Sequence, residues 1–294
     1  MSWYRRISNA FRDAPQIPLG PDSLIVLFSD CHRGTGNHND NFLKNQNVYF
    51  AALNHYYEHG FTYIELGDGD ELWENPSLSK IIDIHSNVFW LLTKFRDENK
   101  LYMLYGNHDL SKRRCGYCKK HCSIYHISGQ EEKAPLFPDS CYLQGLILKN
   151  QETGKDIYLT HGHQADFLNS VLAPIAAFLV RYIWKPLEGL GISDPTSAAK
   201  NYTKKKKTEK RLTDWAAKEQ KLLITGHTHR PMAGNASAPY FNTGSCVHPR
   251  CITCIEIENF ILKLVKWTIR TRRDKTLYVA REELESFHLN SLNS

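Results

Sequence analysis

Five short polar motifs combine the residue types that bind divalent metal ions and move protons. Each follows a short apolar run that predicts a strand, and ligand sites in α/β proteins lie at the carboxyl ends of strands. Imidazole, carboxylate and amide oxygen together favour manganese, iron or zinc over calcium or Cu(I). The sequence therefore predicts a metal site built from separate segments. The motifs are Asp30-Cys31-His32, Gly67-Asp68, Gly106-Asn107-His108-Asp109, His161-Gly162-His163 and Gly226-His227-Thr228-His229.

The spacing within the first and last motifs predicts which side chains share an ion. If these residues continue a strand, positions i and i+2 point to the same side. Asp30 and His32 could then reach one ion together, as could His227 and His229. With Asp30 and Asp68 as the anionic ligands, two divalent ions leave a net charge of about +2, which favours a phosphate-containing substrate.

The elements that must position these motifs alternate between strand and helix in the first 110 residues. Apolar runs predict strands at 23–29, 62–66 and 101–105, with helices between them at 41–59 and 78–95. This alternation indicates βαβ units and a parallel sheet. The later strands suggest an antiparallel part and a second sheet, with helices outside. They are predicted at 141–148, 156–160, 222–225, 240–242, 251–257 and 260–267.

The order of the five motifs resembles that of the calcineurin-like metallophosphoesterases, over roughly residues 23–250. The resemblance implies an α/β four-layer αββα sandwich of two mixed sheets, with a dimetal site at one edge. It also implies two divalent ions, with manganese favoured over iron or zinc. One ion would be held by Asp30, His32 and His229, the other by Asn107, His161 and His227, and Asp68 would bridge them.

The resemblance further implies a catalytic role for His108, which would give a proton to the leaving oxygen without binding metal. Either Asp109 or Glu71 would orient this histidine, and Asp70 lies close enough in sequence to leave the choice open. Direct attack of water on phosphorus is then expected, with no phospho-enzyme.

Two more residues are candidate substrate contacts. Arg33 follows His32 and could meet a phosphate oxygen. His248 lies at the end of segment 242–248, which resembles the family's closing loop near the metals. For both, a surface or packing role is an equally good interpretation, and His163 is interpreted as structural.

A cysteine cluster follows the third motif. Cys115, Cys118 and Cys122 form C-x2-C-x3-C beside His121 and His126. Three cysteines and one histidine would suffice for a structural zinc, although no second CxxC completes the usual spacing. With no signal segment visible, eight cysteines favour a reducing cytosol over a disulfide framework. A cytoplasmic protein is therefore expected.

The helical segment 164–221 lies between the fourth and fifth motifs, so both its ends lie beside the metals and it could cover the site as a lid. Its apolar stretch is too short to span a bilayer, and a basic run follows at 204–211. A similar insert occurs in the UDP-2,3-diacylglucosamine pyrophosphatase branch of the family. Apolar and basic halves suit a lipid phosphate or peripheral contact with a membrane. Alternatively, the apolar face packs on the core and the lysines are solvated.

These features predict a metal-dependent hydrolase of a phosphodiester, phosphomonoester or pyrophosphate, acting on a small or lipid-linked substrate. The net charge of +6 suits an anionic substrate without requiring nucleic acid as a partner. The alternatives are a serine/threonine-type protein phosphatase, a nuclease, or a metal-free binding scaffold on the same fold. We expect one domain over residues 1–294 with the insert at 164–221; the oligomeric state is not predicted.

Overall fold

Two mixed β-sheets pack face to face in the computed structural model, which describes residues 1–37, 39–126, 133–138, 141–170, 172–184 and 202–289. The strands are β1 (Gln16–Leu19), β2 (Leu24–Phe28), β3 (Thr62–Glu65), β4 (Leu101–Met103), β5 (Ile124–His126), β6 (Lys133–Pro135), β7 (Gly145–Asn150), β8 (Ile157–Thr160), β9 (Leu222–Thr225), β10 (Tyr240–Asn242), β11 (Cys251–Glu258), β12 (Ile261–Thr271) and β13 (Leu277–His288). The α-helices are α1 (Trp3–Asn9), α2 (Gln46–Glu58), α3 (Leu78–Ile84), α4 (Ser86–Asp97), α5 (Cys115–His121), α6 (Phe167–Ser170), α7 (Ala173–Leu179) and α8 (Tyr202–Glu219).

The larger sheet has the strand order β13-β12-β11-β2-β3-β4. Its β2, β3 and β4 are parallel, as the predicted βαβ units require, and its other neighbours are antiparallel. The smaller sheet has the order β1-β7-β8-β9-β10, with only the β7–β8 pair antiparallel. Strands β5 and β6 form a separate hairpin.

Apolar side chains fill the space between the two large sheets. Leu27 and Ile255 of the six-stranded sheet meet Leu148, Ile224 and Phe241 of the five-stranded sheet there. Helices α2 and α4 cover the outer face of the larger sheet, and α1 and α8 cover that of the smaller one. This order of layers confirms the predicted αββα sandwich.

Two predicted helices are interrupted, and Asp40 contributes to both interruptions. Asp40 caps a 3₁₀ turn at Asn41–Lys44 by accepting a hydrogen bond from the backbone of Leu43 (3.2 Å), and α2 starts only after this turn. The second predicted helix divides into α3 and α4 at His85, whose Nε2 lies 3.1 Å from Asp40 Oδ2. The tail after Trp267 adds β13 to the larger sheet.

Most of the described part of the insert is helical, in α6, α7, a π-helical turn at Val180–Trp184, and α8. The sequence of the insert also contains a proline- and glycine-bearing break at 186–195, which lies outside the described residues. The face of α7 that carries alanine residues packs on Trp73. Ile175 and Phe178 of α7 and Tyr182 of the π-helical turn are exposed. The alternative that the apolar face packs on the core therefore holds for Ala173 and Val180 and not for these three exposed side chains. Among the described residues, no helix has the length and apolar character needed to cross a membrane.

Candidate metal centre

The predicted metal ligands lie in loops that follow β2, β3, β4, β8 and β9. Backbone hydrogen bonds join these loops: Asp30 N donates to Gly67 O (3.1 Å) and His32 N to Asp68 O (2.9 Å). Gly226 N donates to His161 O (3.0 Å) and joins the loops that follow β8 and β9. Gly106 and Gly226 permit this approach, because a Cβ at either would collide with the carboxylate of Asp68 or Asp30.

Five of the predicted ligands have left-handed backbone conformations, which L-residues other than glycine rarely adopt. The strand alternation expected for the D-x-H and H-x-H motifs is therefore wrong, because both motifs lie in loops beyond β2 and β9. Such conformations cluster at functional sites, where the surrounding contacts impose them. The residues and φ angles are Asp30 (52°), His32 (48°), Asp68 (51°), His227 (70°) and His229 (55°).

Asp30, His32 and His229 form what we call the first position, with one potential donor atom each within 4.8 Å of the others. The Nε2 atoms of the two histidines lie 3.2 Å apart, and Asp30 Oδ1 lies 3.1 Å from that of His229. Asp30 Oδ2 already accepts hydrogen bonds from Ser29 Oγ and from the backbone of His227 (2.9 Å). Its Oδ1 atom therefore remains to face the histidines.

Asp68, His161 and His227 form the second position by the same criterion. Asp68 Oδ2 lies 3.1 Å from His161 Nε2 and 3.8 Å from His32 Nε2, so the same oxygen faces both positions. Asp68 Oδ1 accepts a hydrogen bond from the backbone of His108 (2.8 Å), which fixes the carboxylate. Asn107 immediately precedes that donor, and its amide group is buried.

The donor atoms of both positions include several that are buried and make no hydrogen bond. A polar atom buried in this way costs about 1–3 kcal/mol, so a cluster of them requires an explanation. A metal cation would supply the missing partner, and oxygen and nitrogen donors of these types suit manganese, iron or zinc. These residues thus fit a metal at each position. The atoms are Asp30 Oδ1, His161 Nε2 and His227 Nε2, and both amide atoms of Asn107, which precedes His108, likewise have no hydrogen-bond partner.

The carboxylates create a field that favours positive charge. Burial lowers the pKa of His161, but Asp68 more than compensates and raises the pKa to about 9. Burial raises the pKa of Asp68, yet His161, His108 and His32 bring it well below its usual range. Burial also raises the pKa of Asp30, but the nearby His229 lowers it by more, so the pKa lies well below its usual range. A site that attracts protons this strongly also attracts metal cations.

Glu71 connects the first position to the predicted catalytic histidine. Its Oε2 lies 2.7 Å from His32 Nδ1 and its Oε1 lies 2.8 Å from His108 Nδ1. Carboxylates that contact the second nitrogen of a histidine fix its tautomer and ring orientation. Burial lowers the pKa of His108, but Glu71 and Asp68 raise it above its ordinary value. Trp73 stacks on the His108 ring at a centroid distance of 4.1 Å, and the imidazole remains 24% exposed.

No family model and no curated protein matches this sequence. Among solved structures, the chain is similar to a predicted phosphoesterase from Streptococcus pneumoniae TIGR4, with a TM-score of 0.36 and 14% identity over 89% of this chain and 97% of that one. It is also similar to Vacuolar Protein Sorting 29 from Cryptosporidium parvum, with a TM-score of 0.41 and 14% identity over 89% and 97%. For Chaetomium thermophilum Vps29 the TM-score is 0.41, with 11% identity over 92% and 98%. Likenesses at this level carry no argument about function.

Asp109 and Arg33 do not have the functions expected of them, because both belong to a buried chain of charges. Asp109 accepts hydrogen bonds from Gly106 N (2.7 Å) and Lys112 Nζ (3.1 Å), so Glu71 is the acid that contacts His108. The Arg33 side chain is only 1% exposed, and its guanidinium donates to both oxygens of Glu65 (2.8 and 3.0 Å) and to Asp70 (2.7 Å). The expected contact of Arg33 with substrate is therefore corrected to a structural role.

Lys112 was missed by sequence reasoning. Its amine is fully buried between Asp70 and Asp109, and it lies 4.5 Å from the ring centre of Tyr142. Lysine is normally exposed, and this one lies in a basic stretch. The only available signal was its i, i+3 spacing from Asp109. Through Asp70, Lys112 joins the loop that carries His108 to the loop that carries Asp68 and Glu71.

The expected zinc cluster is also wrong. Cys115 forms a disulfide with Cys141, which removes its thiolate as a metal ligand and corrects the expectation of free thiols at this pair. Cys118 and Cys122 are buried, and Cys118 Sγ donates to Lys112 O (3.1 Å). Among the described residues, the groups that could hold a metal contain no cysteine. His248 is exposed and belongs to none of these groups, and its carbonyl accepts a hydrogen bond from Asn45 Nδ2 (2.7 Å).

Proposed function

We propose that the protein is a metal-dependent hydrolase that cleaves a phosphate ester or pyrophosphate bond with two divalent ions. The observation that carries the proposal is the presence of buried donor atoms without hydrogen-bond partners after the ends of β2, β4, β8 and β9. Ions bound there would activate water and neutralise charge on phosphate. Asp30, His32 and His229 would hold one ion, and Asn107, His161 and His227 the other, with Asp68 shared.

His108 is proposed as the general acid, because its contacts prepare an imidazole to give up a proton. Glu71 engages Nδ1, which leaves Nε2 as the atom that carries the transferable proton. The negative charge of Glu71 stabilises the imidazolium, and the Trp73 ring fixes the plane of the imidazole. A proton delivered to the leaving oxygen would lower the barrier for poor leaving groups most.

The test is metal analysis of the full chain together with hydrolysis of bis-p-nitrophenyl phosphate, with and without added Mn²⁺. We expect about two ions per chain and turnover that Mn²⁺ stimulates, with p-nitrophenyl phosphate as the monoester comparison. Absence of bound metal and of turnover with Mn²⁺, Fe²⁺ and Zn²⁺ would favour the binding scaffold instead. Preferential turnover of phosphopeptides or DNA would favour the protein phosphatase or the nuclease.

A lipid-linked phosphate is proposed as the substrate, with the insert as the contact to the membrane. Ile175, Phe178 and Tyr182 are 57%, 58% and 61% exposed, and the rings of Phe178 and Tyr182 lie 4.9 Å apart. They share a helical face at i, i+3 and i+7. The opposite face of the same segment packs on Trp73, beside His108. Basic residues of α8 could meet anionic headgroups.

Replacing Ile175, Phe178 and Tyr182 together with serine is expected to abolish co-sedimentation with phosphatidylglycerol vesicles. Hydrolysis of soluble bis-p-nitrophenyl phosphate should stay within about two-fold of the unaltered chain, since the apolar face does not line the metal positions. Leu277→Ser is the matched control, because Leu277 is 68% exposed on β13, an edge strand of the six-stranded sheet and not part of the insert. Vesicle binding that survives the triple substitution would contradict the lipid contact.

A further inference from the structure

A third carboxylate lies beside the second position. Asp166 follows the 3₁₀ turn His163–Ala165 and directly precedes α6, the first helix of the insert. Asp166 is 8% exposed, and its Oδ2 lies 3.7 Å from His227 Nε2. That nitrogen is one of the buried donor atoms without a hydrogen-bond partner. Asp166 was not among the ligands expected from the sequence.

The distance is close to what a shared ion requires. Nitrogen and oxygen donors lie about 2.1 Å from such an ion, which places neighbouring ligand atoms about 3.0 Å apart in octahedral and about 3.4 Å apart in tetrahedral coordination. A shift of about 0.3–0.7 Å would therefore bring Asp166 Oδ2 within reach of an ion bound by His227. Asn169 Nδ2 donates to the same oxygen (2.9 Å), as is common for a carboxylate that supports a metal.

The charge of Asp166 also suits this role. A buried carboxylate is costly unless a positive charge lies nearby, and Arg6 is within electrostatic reach of it. With Asp30 and Asp68 as anionic ligands, two divalent ions leave about +2, and Asp166 lowers this to about +1. The third carboxylate thus brings the site closer to neutrality before substrate arrives.

We propose that Asp166 is an additional ligand of the second metal ion and that this bond fixes the base of the insert. The inference rests on the proposed function, since it requires an ion at the second position. Asp166 is built firmly into the start of the insert: its N–H donates to His163 O (2.9 Å), and its carbonyl accepts from Ser170 Oγ. An ion bound to Asp166 therefore restrains α6 as well as the carboxylate.

The test is titration of the full-length Asp166→Asn variant with Mn²⁺ by calorimetry and electron paramagnetic resonance. The amide has the same shape but no charge, so we expect affinity for the second ion to fall about 10–100-fold, while affinity for the first ion is retained. Limited proteolysis is the second readout. Mn²⁺ should slow cleavage within 167–184 in the unaltered chain and do so less in the variant.

Asp156→Asn is the matched control. Asp156 pairs with Lys149 (2.5 Å) just before β8, at the opposite end of that strand from His161, and the loss of its charge should leave both Mn²⁺ affinities unchanged. Asp166→Glu keeps the charge and is a second variant should the amide prevent folding; it should still bind two ions, with only the second affinity altered. Unaltered affinity for both ions in every folded Asp166 variant would overturn the inference. Failure of the unaltered chain to bind a second ion would overturn the proposed function instead.

Discussion

Replacing Asp68 with asparagine is expected to weaken both metal ions together and to lower hydrolysis by about 10³-fold or more, or about 4 kcal/mol of transition-state stabilisation. The reason is the position of Oδ2, which lies 3.1 Å from His161 Nε2 and 3.8 Å from His32 Nε2. A single charge therefore faces both metal positions. The amide can still accept the hydrogen bond from His108 N at Oδ1, so the loop should keep its conformation.

Metal content by elemental analysis and kcat for bis-p-nitrophenyl phosphate measure the two effects separately. Asp156→Asn is the matched control, because Asp156 pairs with Lys149 at the opposite end of β8 from His161. This control should keep two ions and normal turnover. Loss of one ion alone from Asp68→Asn would contradict the bridging role, and normal turnover without metal would contradict the proposed chemistry.

The strand ends that carry the ligands could be predicted because their signals are local. The apolar, β-branched runs before Asp30, Asp68 and His227 place β2, β3 and β9 within a residue or so of their observed bounds. The direction of the ligand side chains could not be predicted in the same way. It depends on left-handed backbone at Asp30 and His32, which contacts with Gly67 and Asp68 impose from another part of the chain.

The buried charges were unpredictable for a related reason. Arg33 meets Glu65 and Asp70 across 32 and 37 residues, and Lys112 meets Asp70 across 42. These side chains are removed from water only when the loops that follow β2, β3 and β4 pack together, and a local stretch of sequence does not show this. The pairing of Cys115 with Cys141 likewise joins residues 26 apart in the sequence, so the local C-x2-C-x3-C pattern was misleading.

Replacing His108 with alanine is expected to lower kcat by about 10²–10⁴-fold while both metal ions stay bound. The His108 side chain contacts Glu71 and Trp73. With His32 and Glu71 it forms a third group of possible donor atoms, outside the first and second positions. Its backbone donor to Asp68 survives the substitution, and Glu71 still holds His32. Loss of either ion in this variant would show that His108 supports metal binding instead.

Dependence on the leaving group decides whether His108 gives up a proton or only holds the substrate. A general acid matters most when the departing oxygen is strongly basic. The activity of His108→Ala should therefore fall much more for methyl phenyl phosphate, which releases the more basic phenolate, than for bis-p-nitrophenyl phosphate, which releases nitrophenolate. Glu71→Gln should show the same trend more weakly, because the imidazole remains while the charge that raises its pKa is lost. Equal losses for both leaving groups would assign His108 to positioning or electrostatic stabilisation, with water as the proton donor.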